Sequence, residues 1–540
     1  MKVGFGQTSA MAVGTLASRI TGVLRDVALV AAIGTTVFSD GYSVANSIPN
    51  IIYILIAGGA INSVFIPALV RRMQDDDDNG QIFANRLLTL ISVLLLGIVS
   101  LTLIFAPLII QLYATSTWSS ADLHTATIFA YWCLPQIFFY GVYTLVSQVL
   151  NARNIFALPM FAPIANNVIV IATALVFMAV TNGIPDAQSV QSTQLNLLGA
   201  GTLLGVAVQA LLLIPALRKS GFMFQPRFDF RGSGLMKMGD LAVWTFGFVM
   251  INQISFLIIS NLTTYANVLA NNAGTTAIGF TSYQKGQLMM MLPHAIITVS
   301  LITSLLPRLS KHAHSKDDQA FGEQLTSTVR LVAAFIIPCA GLLVLTGPTV
   351  GVLLYGHGAA SNAEGASVGV IASVFALGLP AFSIFYTLLR SYYARENTRT
   401  PFFINLGFNA IHICVGVLLF YRIEPQYKVA SIAAAYAVAY TIVCVITWRR
   451  VSSDVPSLGA KHNAQMIVRV LFATLVSCLA TSAIHSIIFP NYTAENVNGS
   501  IARIVFDTIT FIVCFSLLAK LIRIAEINDA VSQTLRRIAK

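Results

Sequence analysis

Long apolar stretches alternate with short polar ones along the whole chain. Each apolar stretch holds roughly 20 or more residues, the length that a helix needs to cross a hydrocarbon core of ~30 Å. The stretches lack the period-two alternation of a membrane-barrel strand, so helices are the expected spanning elements. The pattern predicts about fourteen transmembrane helices, at 8–37, 42–70, 84–114, 124–150, 159–181, 195–217, 238–262, 276–306, 328–355, 366–392, 401–421, 429–448, 464–489 and 501–524.

The composition supports a chain that uses lipid as its solvent. Of the 540 residues, 56% are hydrophobic and only 10% are charged, whereas soluble domains carry about 25% charged residues. So few charges cannot cover a water-soluble protein of this size, and we predict an all-α polytopic membrane protein. The six cysteines lie inside apolar stretches without CxxC spacing, which indicates neither a disulfide framework nor a metal site.

The positions of the basic residues predict an orientation for these helices. With the N-terminus in the cytoplasm, 26 of the 32 Lys and Arg residues fall in cytoplasmic loops or the C-terminal tail. Only Arg422, Lys428 and Arg503 fall in outside loops. This asymmetry places both termini in the cytoplasm. The net charge of +11 is therefore a topology signal, and a nucleic-acid partner is not expected.

Two segments of the chain repeat one short pattern. Within it, Tyr-Thr-Leu precedes Ala-Arg, which is followed by five other residues, a proline and finally an asparagine. The copies are Tyr143-Thr144-Leu145, Ala152-Arg153, Pro159 and Asn167, and then Tyr386-Thr387-Leu388, Ala394-Arg395, Pro401 and Asn409. Ordered matches at a nearly constant spacing indicate an internal duplication.

The repeat covers six predicted helices, an even number, so both copies have the same orientation in the membrane. We therefore expect two parallel-repeat six-helix lobes around a central cavity, at 1–232 (helices 1–6) and 233–452 (helices 7–12). Residues 453–540 hold two extra C-terminal helices and a basic cytoplasmic tail. Paired lobes of this kind are typical of secondary transporters.

The first predicted span carries charges inside the membrane, in Ser18-Arg19-x-x-Gly22-x-x-Arg25-Asp26. A charge at mid-bilayer costs about 2.5–3.5 kcal/mol, so such groups usually face a cavity or a partner. Helical periodicity puts Ser18, Gly22 and Arg25 on one narrow stripe, with Arg19 well round the helix. Asp26 is expected to point away from Arg25, which leaves the guanidinium for phosphate or carboxylate oxygens. A structural ion pair and a side chain snorkelling to the interface are the alternatives.

Further polar positions complete the set of candidates. Asp40 lies at the outer end of the second span, and Asn50 follows Pro49 inside it. Lys285 is the basic residue clearly inside the membrane portion of the second lobe, where it either adds positive charge to the cavity or snorkels outward. The predicted substrate-binding residues are Ser18, Arg19, Arg25, Asp26, Asp40, Asn50 and Lys285.

Two common motifs of hydrolytic enzymes are absent from the sequence. It contains no Walker A sequence and no HExxH. We therefore expect no enzymatic activity, no cofactor and no bound metal. Transport against a gradient would instead draw on a monovalent cation gradient or on the membrane potential.

The N-terminal motif resembles the MurJ/MviN family of lipid II flippases, within the multidrug/oligosaccharidyl-lipid/polysaccharide exporter superfamily. The residues that carry the resemblance are Ser18-Arg19-x-x-Gly22-x-x-Arg25-Asp26, Gly34, Asp40, Pro49-Asn50, Leu292-Pro293, Tyr355-Gly356 and Thr400-Pro401. Tyr53 stands where many members of the family have an arginine, a form that resembles an actinobacterial branch. Gln287-Leu288 occupy the place of an Asp-Arg pair of the family, and we hypothesise that Lys285 compensates for it.

The resemblance implies a transport function. The cargo would be the undecaprenyl-pyrophosphate-linked peptidoglycan precursor, moved by alternating access from the inner to the outer leaflet of the bacterial cytoplasmic membrane. The expected partners are this lipid-linked precursor and the bilayer, with the cell-wall synthesis machinery as a candidate protein partner. A flippase for another polyprenyl-linked glycan and a drug/cation antiporter of the same superfamily are the alternatives, although Arg19 and Arg25 would repel a cationic drug.

Overall fold

A computed structural model describes residues 5–60, 72, 78, 80–181, 183–229, 239–455, 458–489 and 497–527. For 5–12, 56–60, 239–245, 304 and 460, only the helical backbone is described. Every regular element in these ranges is helical, which confirms the predicted all-α class. The basic tail predicted near the C-terminus falls mostly on 528–540, outside the described residues.

The number of membrane-length helices agrees with the hydrophobic pattern. In the described part of the chain, twelve helices are long and apolar enough to cross a membrane. The first two helices, Phe5–Ile33 and Val37–Ala60, are not among those twelve, and the first of them carries Arg19, Arg25 and Asp26. Together they make up the predicted total of about fourteen. Leu101, Leu479 and Leu517 are more than half exposed, as expected for a surface solvated by lipid.

The first compact unit comprises Met1–Val268 and Gly358–Ala360. Within it α1 packs on α7, α7 on α8, and α2 on α5. Its helices are α1 (Phe5–Ile33), α2 (Val37–Ala60), α3 (Gln81–Ile104), α4 (Ala106–Tyr113), α5 (Ser120–Cys133), α6 (Gln136–Ala152), α7 (Ala157–Val180), α8 (Ser192–Leu211), α9 (Leu213–Lys219) and α10 (Gly239–Asn272), the last up to Val268.

The second compact unit comprises Leu269–His357 and Ser361–Lys540. Within it α14 packs on α13 and α16, α15 packs on α16, and α17 packs on α13 and α18. Its helices are α11 (Phe280–Pro293), α12 (Val299–His314), α13 (Asp318–Tyr355), α14 (Asn362–Ala394), α15 (Arg399–Arg422), α16 (Lys428–Asp454), α17 (Ala460–Ile488) and α18 (Val497–Leu521). The predicted lobe boundaries at 232 and 452 stay a prediction.

Local sequence explains where several of these helices begin and end. Capping boxes start α5, at Ser119 and Asp122, and α14, at Ser361 and Glu364. In each box the serine hydroxyl accepts a hydrogen bond from the backbone N–H of the acidic residue, and the carboxylate accepts one from the backbone N–H of the serine. Gly34, which follows α1, has φ +68°, a left-handed conformation that glycine adopts without strain. These signals separate apolar stretches that would otherwise run together.

The duplicated segments form two backbone corners of the same geometry. The first helix of each corner is followed by an arginine at the C-cap, Arg153 or Arg395, and the next residue has positive φ, 65° at Asn154 and 57° at Glu396. A helix of 24 residues follows in each case. The sequence repeat is therefore accompanied by a repeat of local structure, as an internal duplication predicts.

Candidate functional site

The polar stripe of α1 meets α7 at Asn167, which is 4% exposed. The amide nitrogen of Asn167 donates to the carbonyl oxygen of Ser18 at 3.2 Å and to the hydroxyl of Thr21 at 2.9 Å. Its amide oxygen accepts a hydrogen bond from Nη1 of Arg25 at 3.3 Å. A Cβ atom on Gly22 would lie 3.7 Å from the same amide nitrogen. Ser18, Gly22 and Arg25 thus share one face of α1, as predicted, and this face is turned to α7.

Arg25 also contacts its sequence neighbour, Asp26. Nη2 of Arg25 lies 3.3 Å from Oδ1 of Asp26. The prediction that Asp26 points away from Arg25 is therefore wrong. The Cα–Cβ bonds of the two residues diverge, but the arginine side chain is long enough to fold back to the carboxylate. Asp26 is 7% exposed, and Arg25 supplies the positive charge without which a buried carboxylate is costly.

The guanidinium of Arg25 keeps hydrogen-bonding capacity beyond these two contacts. Both contacts are 3.3 Å long, whereas charge-assisted N–H···O bonds are about 2.7–2.9 Å. A guanidinium carries five N–H donors, and Nε of Arg25 is buried without a partner among the described residues. The side chain is 32% exposed. Arg25 is therefore positioned by its neighbours but can still bind an anionic group.

Polar side chains continue along α2 towards α6. The amide oxygen of Asn46 accepts from Nε2 of Gln136 at 3.3 Å, and the hydroxyl of Tyr53 donates to Thr144 at 2.6 Å. The ring of Tyr140 lies 5.9 Å from that of Tyr53, and its hydroxyl donates to Gln136 at 3.0 Å. Asn46 and Tyr53, two of the polar residues of the second span, are therefore paired inside the first unit.

The other candidates on the first two helices have different surroundings. Arg19 is exposed and makes no hydrogen bond or ion pair with a residue that the structure describes. Asp40 is completely buried, and its carboxylate accepts a hydrogen bond from Asn267 of α10 at 2.8 Å. Asn267 also donates to the carbonyl oxygen of Thr35 at 3.1 Å, so it braces the turn between α1 and α2. Asn50 is exposed on α2. The cluster at Asn167 thus gathers Ser18, Arg25 and Asp26.

In the second unit, Lys285 is half-buried on α11. A π-helical turn at His294–Thr298 follows this helix. The buried ring of His294 lies 4.4 Å from the ring of Phe382, and its Nδ1 is 2.9 Å from the hydroxyl of Ser383. π-helical turns are frequent at functional sites. The replacement of the family's arginine by Lys285 stays a prediction.

The second copy of the repeated asparagine, Asn409, has another environment. It is buried on α15, and its amide nitrogen donates to the carbonyl oxygen of Asn405 at 2.9 Å. Its neighbour Phe408 lies 4.0 Å from the ring of Tyr440 and 5.8 Å from that of Tyr436. Phe408, Tyr436, Tyr440 and His412 together form the α15–α16 aromatic cluster.

Sequence reasoning did not propose Asn167 as a site residue, although it found it as part of the repeat. A usable signal was present, because a polar residue inside an apolar span usually has a specific partner or function. What the sequence does not show is that this partner is Arg25, 142 positions away.

Comparison with known proteins identifies relatives along nearly the whole chain. The family model described as "Lipid II flippase MurJ" matches residues 29–507. A probable lipid II flippase MurJ of Haemophilus influenzae is 27% identical over 488 residues, covering 85% of this chain and 89% of that protein. One of Thermotoga maritima is 25% identical over 529 residues, covering 97% of this chain and 98% of its own length.

Solved structures share the fold. A lipid II flippase MurJ in an inward closed conformation superposes with a TM-score of 0.73 at 20% identity, covering 95% of this chain and 99% of that one. A Vibrio cholerae MATE transporter gives a TM-score of 0.52 at 13% identity, covering 84% and 97%. At such identities the structures establish the fold, and the family model establishes the kinship. This multi-pass membrane protein therefore belongs to the lipid II flippase MurJ family.

Proposed function

We propose that this chain moves the undecaprenyl-pyrophosphate-linked peptidoglycan precursor from the inner to the outer leaflet of the bacterial cytoplasmic membrane by alternating access. Membership of the lipid II flippase MurJ family supports the transport step. The distribution of Lys and Arg supports an orientation with both termini in the cytoplasm. The protein moves its cargo without changing a covalent bond in it, and needs no cofactor for that step.

The observation that carries the proposed binding mode is the state of Arg25. Its guanidinium is held by Asn167 and Asp26 through two long contacts, its Nε–H has no partner among the described residues, and the side chain is one-third exposed. A pyrophosphate offers several anionic oxygens to such a fork, and bidentate Arg–phosphate contacts are among the stronger hydrogen bonds in proteins. We propose that Arg25 binds the pyrophosphate of the precursor and that Asp26 and Asn167 orient it.

The alternatives are less well supported. The fold alone would allow a drug/cation antiporter, since a MATE transporter has the same fold as this chain. A cationic drug would, however, be repelled by Arg25. A flippase for another polyprenyl-linked glycan would use the same pyrophosphate contact. The experiment has to separate these cargoes by their sugar and peptide part.

The decisive experiment is depletion of the protein in its host, followed by measurement of the precursor in each leaflet. We expect the lipid-linked precursor to accumulate in the inner leaflet and to disappear from the outer one. Outer-leaflet precursor at its normal level after depletion would remove the assignment. Accumulation of a different polyprenyl-linked glycan would support the second alternative.

Reconstitution tests the energy source and the role of Lys285. In vesicles that contain the purified chain and a fluorescent precursor, an imposed membrane potential or monovalent cation gradient should raise the flipping rate. A rate that responds to neither would contradict the proposed coupling. Lys285→Ala should lower the rate if Lys285 supplies positive charge in the second unit, whereas Lys285→Arg should preserve it. Full activity of Lys285→Ala would exclude this role.

A further inference from the structure

A cavity of about 740 Å³ lies within the first unit, between α3, α6, α8, α9 and the segment that follows α9. Its walls are apolar except for Ser92 and Arg218. Its volume falls within the range of roughly 300–1,000 Å³ that is usual for small-molecule sites, which are mostly apolar with a few placed polar groups. None of the residues of the Arg25 cluster lines it.

One wall of the cavity is built by Phe222, Met223 and Phe224, which begin a segment without regular secondary structure, residues 222–229, that we call the strap. Two buried polar side chains of α3 hold it in place. Asn85 donates from its amide nitrogen to the carbonyl oxygen of Met223 at 3.2 Å and accepts from the backbone N–H of Gln225 at 3.1 Å. Thr89 accepts from the backbone N–H of Arg227 at 3.0 Å. The wall is therefore a fixed part of the unit.

An ion pair anchors the far end of the strap. Nε of Arg86 donates to Oδ2 of Asp229 at 3.0 Å. This hydrogen bond lowers the pKa of the Asp229 carboxyl, so the carboxylate stays charged at neutral pH. The ion pair thus fixes the far end of the strap to α3.

The rim of the cavity combines free positive charge with exposed apolar side chains. Arg218, which lines the cavity, and its sequence neighbour Lys219 end α9, are exposed, and make no hydrogen bond or ion pair with a described residue. Of the strap residues that line the cavity, Met223 and Phe224 are more than half exposed. Basic residues next to exposed aromatic ones are typical of the level where lipid headgroups meet the acyl chains. The rim therefore lies where a headgroup would stand above an acyl chain.

We infer that this cavity binds one acyl chain of an anionic glycerophospholipid from the adjoining leaflet, with its phosphate bound by Arg218 and Lys219. The apolar walls match the chain, and the two cations, which have no ion-pair partner among the described residues, match the phosphate. A neutral lipid would leave these cations without a net negative partner. The inference is independent of the proposed flipping of the precursor.

Native mass spectrometry of the full chain in mild detergent tests it, with titrations of dioleoylphosphatidylglycerol, dioleoylphosphatidylcholine and undecaprenyl phosphate. We expect phosphatidylglycerol to bind about tenfold more tightly than phosphatidylcholine, because two basic residues face its net charge. The double variant Arg218→Glu, Lys219→Glu should remove this preference. Lys461→Glu, at an exposed position of the second unit, is the matched control and should keep it.

A second variant tests the cavity itself. Val142→Trp fills it and should weaken binding of both phospholipids, whereas Leu101→Trp, on an exposed position of α3 that does not line the cavity, should not. Thermal unfolding checks that Val142→Trp is folded; if it is not, the charge variants decide, because their positions are exposed. Equal binding of both phospholipids, or binding unchanged by the Arg218 and Lys219 substitutions, would overturn the inference. Preferential binding of undecaprenyl phosphate that Val142→Trp abolishes would assign the cavity to a polyprenyl chain instead.

Discussion

The two duplicated corners have the same backbone but give their arginines different partners. Nη1 of Arg153 donates to the carbonyl oxygen of Ser220 at 2.5 Å, and its guanidinium lies 5.5 Å from the ring centre of Phe222. Nη2 of Arg395 lies 3.1 Å from Oδ1 of Asp318, and its guanidinium is 4.6 Å from the ring of Phe321. Both arginines thus pack on a phenylalanine. Duplication has preserved the turn and the cation–π contact, while the hydrogen-bond acceptor has changed.

The difference is larger at the repeated asparagines. Asn167 binds a charged residue of another helix, Arg25, whereas Asn409 bonds to its own helix beside the α15–α16 aromatic cluster. The repeated asparagine therefore binds a charged side chain in the first unit, whereas in the second unit it lies beside the α15–α16 aromatic cluster. We expect substitutions around Asn167 to change transport, and substitutions in the aromatic cluster to change stability.

The largest effect is expected for Arg25→Gln. Two charge-assisted hydrogen bonds to the pyrophosphate would be lost, each worth about 1.5–3 kcal/mol, so the flipping rate in vesicles should fall by about 100-fold or more. Because this change removes the positive charge beside the buried Asp26, the double variant Arg25→Gln, Asp26→Asn serves as the folding control and should be equally inactive. Arg25→Lys should retain only part of the rate, since it keeps the charge without the fork. Activity of the folded double variant near the level of the unaltered protein would contradict the proposed role.

Phe408→Ala tests the second unit, where we expect a loss of stability and not of transport. It removes the centre of the α15–α16 aromatic cluster and should lower the free energy of unfolding by about 3–5 kcal/mol. Leu418→Ala, at an exposed position of the same helix, should change it far less. Denaturation in detergent measures both. If the folded fraction of Phe408→Ala lost transport selectively, the cluster would have a functional role beyond packing.

The paired variants Asn167→Leu and Asn409→Leu compare the two copies directly. Asn167→Leu deletes the acceptor of one Arg25 hydrogen bond and should slow flipping by about tenfold, which corresponds to about 1.4 kcal/mol. Asn409→Leu should leave the rate per folded molecule unchanged. The assay is flipping of the fluorescent precursor, normalised to folded protein. Equal rates for the two variants would show that the repeated position has the same role in both units.

The smallest effects are expected at the corners. Arg153→Met breaks a half-buried hydrogen bond to a carbonyl and should lower the free energy of unfolding by about 1–1.5 kcal/mol, independently of salt. Asp318→Asn breaks an exposed ion pair and should lower it less, with the effect diminishing as ionic strength rises. Thermal unfolding at low and high salt measures the difference. A salt-sensitive loss in Arg153→Met would indicate that its carbonyl contact is not what the side chain contributes.

Much of the fold was predictable because lipid imposes one rule on every span. An apolar stretch that crosses a bilayer must satisfy its backbone internally, so length and hydropathy are sufficient to predict a helix. The ends of the helices were less predictable: α13 begins at Asp318, ten residues before the predicted span, and α16 runs on to Asp454. The polar residues at the ends of these helices lie outside the hydrocarbon, where water solvates them. A hydropathy pattern marks only the apolar part of a helix, so it does not show that the helix continues through these residues.

The candidate site divides in the same way. Ser18, Gly22 and Arg25 were predicted to share a face because helical periodicity depends only on residue spacing. The pairing of Arg25 with Asp26 was predicted wrongly, because a long side chain with several rotatable bonds can reach where its Cα–Cβ bond does not point. Asp40 appeared in the sequence as a membrane acid available to substrate, yet it is completely buried and bonded to Asn267.

By itself the sequence determined the helical class, the approximate number of spans, the internal repeat and the resemblance to a transporter family. Each of these depends on composition or on spacing along the chain. The tertiary structure alone decided that Asn167 holds Arg25, that Asn267 holds Asp40, and that a strap encloses a cavity beside α3. These contacts join residues more than a hundred positions apart. Which helix packs against which depends on the fit of whole surfaces, and no short segment of sequence encodes that fit.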